Sequence, residues 1–255
     1  GLLSFSPIMS ILHAKFRFGH IWPVFPTLLV SFSLAEPEID QIPPANTFSI
    51  VAVDSETGEI GVAVQSKIVG VGTIVPFARA DIGAVATQAY ANTLYGPVGL
   101  QLLGTMAPGE VIALLTKADP QKDRRQVGIV SANGEAEAYT GERCDAAAKH
   151  HVGVGYAVQG NLLANENVID EMAKAFEETE GLLADRLIAS LRAGQAAGGD
   201  KRGKQSAALL VVRAGWGYGG QNDRFRDIRV DEHESPIEEL ARVLEKHREL
   251  FPRPE

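Results

Sequence analysis

Thr47 is the residue whose position most suggests chemistry, because it opens an apolar, β-rich run directly after a proline-containing stretch. A chain that began at this residue would carry a hydroxyl nucleophile and an α-amino base in one residue. An α-amine titrates near pH ~7.7–8 in peptides, so a modest decrease of its pKa makes it a base at neutral pH. Threonine is also a common strand residue, and a purely structural role stays open at this point.

Two cations follow Thr47 at positions that suggest contact with it. A hairpin turn centred near Glu56 would place Thr47 opposite about Gln65, with Ser66 and Lys67 just beyond. A lysine there would favour the neutral amine and stabilise a developing alkoxide, unless it is a solvated strand end. Arg79 lies in an apolar run, where a buried guanidinium needs a partner and an exposed sheet edge is the alternative.

Amides at strand ends and a glycine-dense segment supply further candidate ligands. Asn161 or Asn92 is the expected oxyanion donor, and the amides Gln88 and Gln159 are expected to contact substrate, although strand-end amides also form turns. Glycines around residues 198–203 let backbone approach a ligand, and a loop that ends a helix explains them equally well. The polar side chains of this segment are expected to bind substrate: Asp200, Arg202, Gln205 and Ser206.

Other nucleophile and metal candidates are weaker. Cys144 would need His150 or His151 as a base, but the tight-turn context of such nucleophiles is missing, and a lone cysteine is usually a small core residue. One acidic segment contains residue types that bind metals: Asp231, His233 and Glu234. A polar loop before the last helix explains this segment better. We therefore expect neither a metal nor a cofactor.

The composition limits the possible partners. The chain has 255 residues, a net charge of −8 and a sequence pI of about 5.3. Its basic residues are scattered and form no aromatic-rich patch, so nucleic-acid binding is not expected. A single cysteine excludes an internal disulfide. With Thr47 as a nucleophile, the expected partner is a small-molecule or short-peptide amide substrate. A homo-oligomer is a separate expectation.

The first 46 residues have the pattern of an export signal followed by a spacer. Lys15 and Arg17 precede a 14-residue apolar run, 21–34, and the segment 33–35 reads Ser-Leu-Ala, with small residues at −3 and −1 of a cleavage site. The run is too short to span a bilayer comfortably, so no stable membrane anchor is expected. We predict a signal peptide at 1–35, a spacer or propeptide at 36–46, one domain at 47–255, and a secreted or periplasmic location. A buried N-terminal strand or helix is the alternative.

The elements after Thr47 predict an α+β fold. Strand-like runs TFSIVAVD and IGVAVQS form a hairpin, and RQVGIVSANGEAEAYTG forms another around Asn133-Gly134. Helical periodicity occurs in YGPVGLQLLGTM, PGEVIALLTKAD, ENVIDEMAKAFEETEG, LADRLIASLRAGQAAGG and PIEELARVLEKHREL. Most of the strands are nearly continuous in apolar residues, which indicates sheets covered on both faces. Two such sheets with two helical pairs predict a four-layer αββα sandwich.

Several ordered segments resemble one known family. They include TFSIVAVDSETGEIGVAVQSK, VPFARADIGAVATQA, RQVGIVSANGEA, QGNLLA, GGDKRGKQSAALLVVR and GGQNDRFRDIRVDEH, and the resemblance extends from Thr47 to about Leu250. The family is a bacterial and archaeal one of unknown function that is assigned to the N-terminal-nucleophile (Ntn) hydrolase superfamily. The resemblance implies a fold similar to that of proteasome β subunits.

The same likeness suggests roles for individual residues. Arg79 falls 32 residues after Thr47, where proteasome-type enzymes place a catalytic lysine, and Lys67 falls near the end of the second strand, where they place polar site residues. Asp200 and Ser206 loosely resemble their late Asp/Ser support. Many members of the family look as though they begin Met-Thr-Phe-Ser-Ile, so removal of Met would expose the equivalent threonine.

This chain departs from that pattern, because a signal and a spacer precede its threonine. Cleavage after Ala35 leaves eleven residues on Thr47, so a second cut is needed, and an N→O acyl shift at Asn46-Thr47 would supply it. The expected function is hydrolysis of an unidentified amide by Thr47, with Lys67 and Arg79 tuning charge. The alternative is a catalytically silent Ntn-fold module that binds a ligand such as cell-wall fragments.

Overall fold

The computed structural model of the protein describes residues 43–254, which form an α+β fold of ten strands and five α-helices. In chain order the strands are β1 (Thr47–Asp54), β2 (Glu59–Ser66), β3 (Pro76–Arg79), β4 (Gly83–Ala89), β5 (Arg125–Ser131), β6 (Ala136–Thr140), β7 (Lys149–Gly153), β8 (Tyr156–Gly160), β9 (Ser206–Val212) and β10 (Arg224–Val230). The helices are α1 (Tyr95–Leu103), α2 (Pro108–Ala118), α3 (Asn167–Glu178), α4 (Leu183–Ala196) and α5 (Pro236–Leu250). The predicted signal segment 1–35 and residues 36–42 of the spacer lie outside the described residues.

The strands form two antiparallel sheets. One has six strands in the order β10-β9-β2-β1-β8-β7, and the other has four in the order β3-β4-β5-β6. In the first sheet β1 is central, so the residue that opens it is flanked by β2 and β8. None of the described helices is long and apolar enough to cross a bilayer.

Three apolar clusters explain why the central strands lack polar alternation. Side chains of β1, β2 and β9 pack on one face against α3, α4 and α5. On their other face, side chains of the same strands pack with residues of β4 and β5. The outer face of β4 and β5 packs against α1 and α2. Strands covered in this way bury every side chain, which is why they are apolar at consecutive positions.

The structure differs from the sequence predictions in two strand details. The first hairpin pairs Thr47 with Ser66, one residue beyond the expected partner Gln65. The segment HVGVGYAVQG, predicted as one strand, forms the hairpin β7–β8 instead, because the chain turns at Val154 and Gly155, where the glycine has φ 77°. The first difference matters for the site, since a shift of one residue moves a side chain to the other face of a sheet.

Candidate active site

Thr47 is fully buried at the first position of β1. Its Oγ1 donates a hydrogen bond of 2.7 Å to the carbonyl oxygen of Ala45, which holds the hydroxyl beside the chain segment that precedes it. The backbone N–H of Asn161, directly after β8, donates to the Thr47 carbonyl at 3.0 Å. Hydrogen bonds therefore hold both the hydroxyl and the backbone carbonyl of Thr47 in place.

The peptide carbonyl before Thr47 receives two side-chain donors. Ser66 Oγ donates to the Asn46 carbonyl oxygen at 2.6 Å, and Arg202 Nη2 donates to the same oxygen at 2.7 Å. Ser66 reaches this oxygen because it ends β2 directly opposite Thr47. A hydroxyl and a guanidinium that donate to one carbonyl oxygen draw electron density towards that oxygen, so the carbonyl carbon becomes more electrophilic.

A buried carboxylate holds Arg202 in position. Asp200, whose side chain is inaccessible to solvent, accepts Arg202 Nε at 3.0 Å and Nη2 at 2.6 Å. The backbone N–H groups of Arg202 and Lys67 also donate to this carboxylate. The loop between α4 and β9 turns here at Gly199 and Gly203, which have φ 58° and 114°, values that favour glycine. A buried charge paired on both oxygens in this way fixes the direction of the guanidinium.

The side chain of Asn46 has its own binding site. Asn46 is 2% exposed, and its Nδ2 donates to Asp145 Oδ2 at 3.0 Å. Its Oδ1 is buried without a hydrogen-bond partner among the described residues. The loop that carries Asp145 is anchored, since the N–H of Leu162 donates to the Asp145 carbonyl at 3.2 Å.

A network of buried side chains joins the two sheets behind Thr47. Ser49 Oγ donates to Gln88 Oε1 at 2.6 Å and accepts from Gln159 Nε2 at 2.6 Å. Gln88 Nε2 lies 3.3 Å from the Thr47 carbonyl oxygen and 2.8 Å from Gln126 Oε1. These four side chains are fully buried and bonded to one another, so the network joins β1 to β4 and β5.

Three of the predicted residues, Asn161, Asp200 and Arg202, lie at Thr47 or at the carbonyl that precedes it. Asn161 contacts Thr47 through its backbone, while its side-chain Nδ2 donates to Gln126 Oε1 at 2.9 Å in the buried network. Asp200 and Arg202 lie at the carbonyl before Thr47, as described above. The donors on that carbonyl are thus Ser66 and Arg202, whereas the predicted donor amide of Asn161 is already bonded elsewhere.

Three other predicted residues lie nearby without pointing a polar group at Thr47. Lys67 follows Ser66 but is exposed, and its aliphatic stem passes Gly203. Ser206 pairs with Ser66 across β2 and β9, yet its Oγ donates to the Ile68 carbonyl and accepts from the N–H of Val71. Gln205 donates its backbone N–H to the Ser66 carbonyl at 3.0 Å. Ser206 and Gln205 therefore position the end of β2.

Arg79 and Asn92 are not brought to Thr47. Arg79 is exposed and pairs with Gly83 at one end of β4, whereas the other end of that strand bonds to Ala45 beside Thr47. The strand length separates the two ends by about 20 Å at ~3.4 Å per residue. Asn92 Nδ2 donates to the buried Asp119 at 3.1 Å. The role predicted for Arg79 requires its guanidinium near Thr47, and the role predicted for Asn92 requires an amide that does not already donate to a carboxylate. Neither condition is met at these positions.

Cys144 and the metal candidates make contacts that do not involve Thr47. Cys144 Sγ donates to the carbonyl of Arg125, and His150 Nδ1 bonds to Thr140, so the two do not pair. Burial raises the pKa of the Cys144 thiol to about 11, which keeps it protonated at neutral pH. Within residues 43–254 no group of three or more His, Cys, Asp or Glu side chains is arranged to hold a metal ion.

Sequence reasoning did not select three of the side chains at this site, Ser66, Asn46 and Asp145. Counting back from the four-residue turn 55–58 pairs Asp54 with Glu59 and so identifies Ser66 as the partner of Thr47. The length of this turn therefore indicated Ser66 as the partner of Thr47, and the predicted partner, Gln65, was wrong by one residue. Asp145 lies in a loop nearly one hundred residues later, and the sequence carries no signal for its approach to Asn46.

Comparisons with known proteins identify relatives but no activity. The model of a family of unknown function, DUF1028, matches residues 47–240. The chain is also similar to a crystal structure of a Silicibacter pomeroyi protein assigned to the same family, with 30% sequence identity and a TM-score of 0.73. That match covers 80% of this chain and 86% of the other. No curated protein matches the chain.

Proposed function

Since the chain belongs to the DUF1028 family, whose function is unknown, we propose from its own geometry that it is an Ntn-type amide hydrolase. Thr47 is the nucleophile, and it becomes N-terminal when the chain cuts its own Asn46–Thr47 bond. The observation that carries the proposal is the Asn46 carbonyl, which accepts from Ser66 Oγ at 2.6 Å and from Arg202 Nη2 at 2.7 Å next to the Thr47 hydroxyl.

Self-cleavage proceeds by an acyl shift. Thr47 Oγ attacks the Asn46 carbonyl carbon, and the negative charge that develops on the carbonyl oxygen is stabilised by Ser66 and Arg202. The C–N bond then breaks, the hydroxyl proton passes to the Thr47 nitrogen, and an ester joins Asn46 to Oγ. Water hydrolyses this ester, which releases the Asn46 carboxylate and leaves Thr47 with a free hydroxyl and a free amine.

The same groups serve substrate turnover. Once Asn46 has left, its carbonyl site holds two donors, Ser66 Oγ and the Arg202 guanidinium, and the carbonyl of an incoming amide can take that place. The Thr47 amine accepts the hydroxyl proton and returns it to the leaving amine, and water then hydrolyses the ester left on Oγ to release the acid and restore the hydroxyl. Asp200 keeps Arg202 aimed at the carbonyl, so the charge is preorganised before the reaction.

A four-layer αββα arrangement of the Ntn type is part of this proposal. Its support is the order of the apolar clusters, in which helices cover one face of each sheet and the two sheets share an apolar cluster between them. In such an arrangement Thr47 opens a central strand of the six-stranded sheet and faces the other sheet.

The test is the mass of the purified full-length chain and of four variants. The wild-type protein is expected to begin at Thr47. Ser66→Ala and Arg202→Ala should each slow the cut by roughly 10²–10³-fold, the usual cost of one oxyanion donor. Their matched controls are Ser190→Ala, which removes a buried hydroxyl from α4, and Arg192→Ala, which removes an exposed guanidinium. Both controls should be cut like wild type, as measured by intact mass after timed expression.

Two outcomes would sink the proposal. One is a wild-type chain that stays joined at Asn46–Thr47, which would favour a ligand-binding module without catalysis. The other is a cut that proceeds equally well in Ser66→Ala, Arg202→Ala and both controls, since the carbonyl clamp would then have no part in the reaction.

A further inference from the structure

We infer that the substrate of this site is a peptide-like amide whose acyl side ends in a short, uncharged residue with an N–H donor, such as asparagine after a small residue. Asp145 is the residue that selects it. This inference rests on the proposed function, because it takes Thr47 as the nucleophile.

The first step is chemical. The ester formed when Thr47 attacks Asn46 is an acyl-enzyme whose acyl group is the chain that ends in Asn46. A substrate forms an ester at the same Oγ, and its acyl group must lie in the same surroundings. The side-chain contacts of Asn46 in the uncut chain therefore outline the acyl site of the enzyme.

The second step is an asymmetry in how the Asn46 carboxamide is bound. Its nitrogen donates to Asp145 Oδ2 at 3.0 Å, while its oxygen is buried without a partner among the described residues. A donor at this position thus gains a hydrogen bond to a carboxylate, and an acceptor gains nothing. An aspartyl group would lose the donor and place a second negative charge beside Asp145.

The third step concerns the residue before it. Ala45 is 2% exposed and packs in the apolar cluster between the sheets. Its carbonyl accepts the N–H of Ala89 at 3.0 Å, in an antiparallel bridge at the end of β4. A substrate backbone can add to this strand end in the same manner, and the buried position accepts only a small side chain.

The test uses the processed full-length protein and three fluorogenic amides with acyl groups acetyl-Ala-Asn, acetyl-Ala-Asp and acetyl-Ala-Leu. The asparaginyl amide should have a kcat/KM at least about tenfold above the other two, the scale of one hydrogen bond to a charged group. In Asp145→Asn the preference for Asn over Asp should disappear or reverse. Glu142→Gln, which removes another exposed acid from the same loop, should keep the wild-type preference.

Self-cleavage provides a second readout on the same residues. Asn46→Asp should slow the cut by about tenfold or more, because the new carboxylate faces Asp145. The double variant Asn46→Asp with Asp145→Asn should recover the rate, since an amide at 145 can donate to a carboxylate at 46. Loss of packing alone would not be reversed by this exchange.

The outcomes separate this inference from the proposed function. A chain that cuts itself and hydrolyses the leucyl amide as fast as the asparaginyl amide would overturn the inference and leave Thr47 as the nucleophile. A chain that is never cut at Thr47 would overturn the proposed function and the inference together.

Discussion

Thr47 and Cys144 differ in their surroundings, and the difference predicts where an electrophile reacts. Thr47 Oγ1 lies beside a polarised carbonyl, and a free amine would accept its proton after the cut. Burial raises the pKa of Cys144 to about 11, so its thiolate is scarce at neutral pH. At the residue scale we therefore expect the threonine hydroxyl to be the reactive group of the processed protein.

A β-lactone probe should add its mass to residue 47 of the processed protein. Thr47→Ser should keep both self-cleavage and labelling, because hydroxyl and amine survive. Thr47→Ala should lose both while the free energy of unfolding falls by no more than about 1–2 kcal/mol, since one hydroxyl and one methyl are removed at a strand end. Peptide mapping by mass spectrometry measures the labelled residue, and Cys144→Ala is the control that should label normally. Label on Cys144, or wild-type turnover by Thr47→Ala, would contradict the assignment.

A buried ion pair joins the end of α2 to the start of β5 in the four-stranded sheet. Asp119 directly follows α2, and Arg125 opens β5; the Arg125 Nε lies 2.9 Å from Asp119 Oδ2, with side chains 11% and 5% exposed. The same carboxylate oxygen accepts the hydroxyl of Tyr95 at 3.0 Å and Asn92 Nδ2 at 3.1 Å. Asp119 thus connects the starts of α1 and β5 with the end of α2.

Asp119→Ala should lower the free energy of unfolding at pH 7 by about 3–5 kcal/mol, because it leaves a buried guanidinium unpaired. The control is Asp170→Ala, which breaks the exposed pair with Lys149 and should cost only about 0–1 kcal/mol. Urea unfolding followed by circular dichroism measures both. Equal decreases in the free energy of unfolding would show that the buried pair stabilises the fold no more than the exposed pair does.

The same ion pair makes the free energy of unfolding depend on pH. Burial opposes the charge on Asp119, but hydrogen bonds from Arg125, Asn92 and the N–H of Gln121 outweigh it and lower its pKa. A lowered folded-state pKa stabilises the protein above the unfolded value, and this stabilisation is lost as pH falls through the folded value. The stability difference between wild type and Asp119→Ala should therefore shrink below pH ~4. A difference that grows towards acid would contradict the sign.

At the scale of the whole molecule, charge sets which partners are excluded. Residues 47–255 carry 22 basic and 29 acidic side chains, a net charge of −7. A protein with this balance repels phosphate backbones, so no binding to duplex or single-stranded DNA is expected at micromolar protein in ~50 mM salt. Gel shift or fluorescence anisotropy measures it, and a salt-dependent complex would refute it. Export and a homo-oligomer stay predictions, to be checked by cell fractionation and light scattering.

The sequence by itself determined the elements and the residue to examine first. Apolar runs bounded by glycine and polar turns predicted β1, β2, β5 and β6, and 3.6-residue periodicity predicted all five helices, because these signals act over a few neighbouring residues. The position of Thr47 at the start of a strand was visible for the same reason. The substrate-binding role of Gln88 and Gln159 could not be judged in this way, since both lie in a buried network that joins the two sheets.

Only the tertiary structure decided which side chains meet at Thr47. A shift of one residue in the hairpin puts Ser66, rather than Gln65, on the face of Thr47, because side chains alternate along a strand. Arg202 and Asp145 reach Asn46 across 156 and 99 residues of chain. Arg79 follows Thr47 by 32 residues but pairs with Gly83, at the end of β4 that lies away from Thr47. Such contacts depend on how strands pair and where loops return, and these follow from the packing of the whole chain rather than from local sequence.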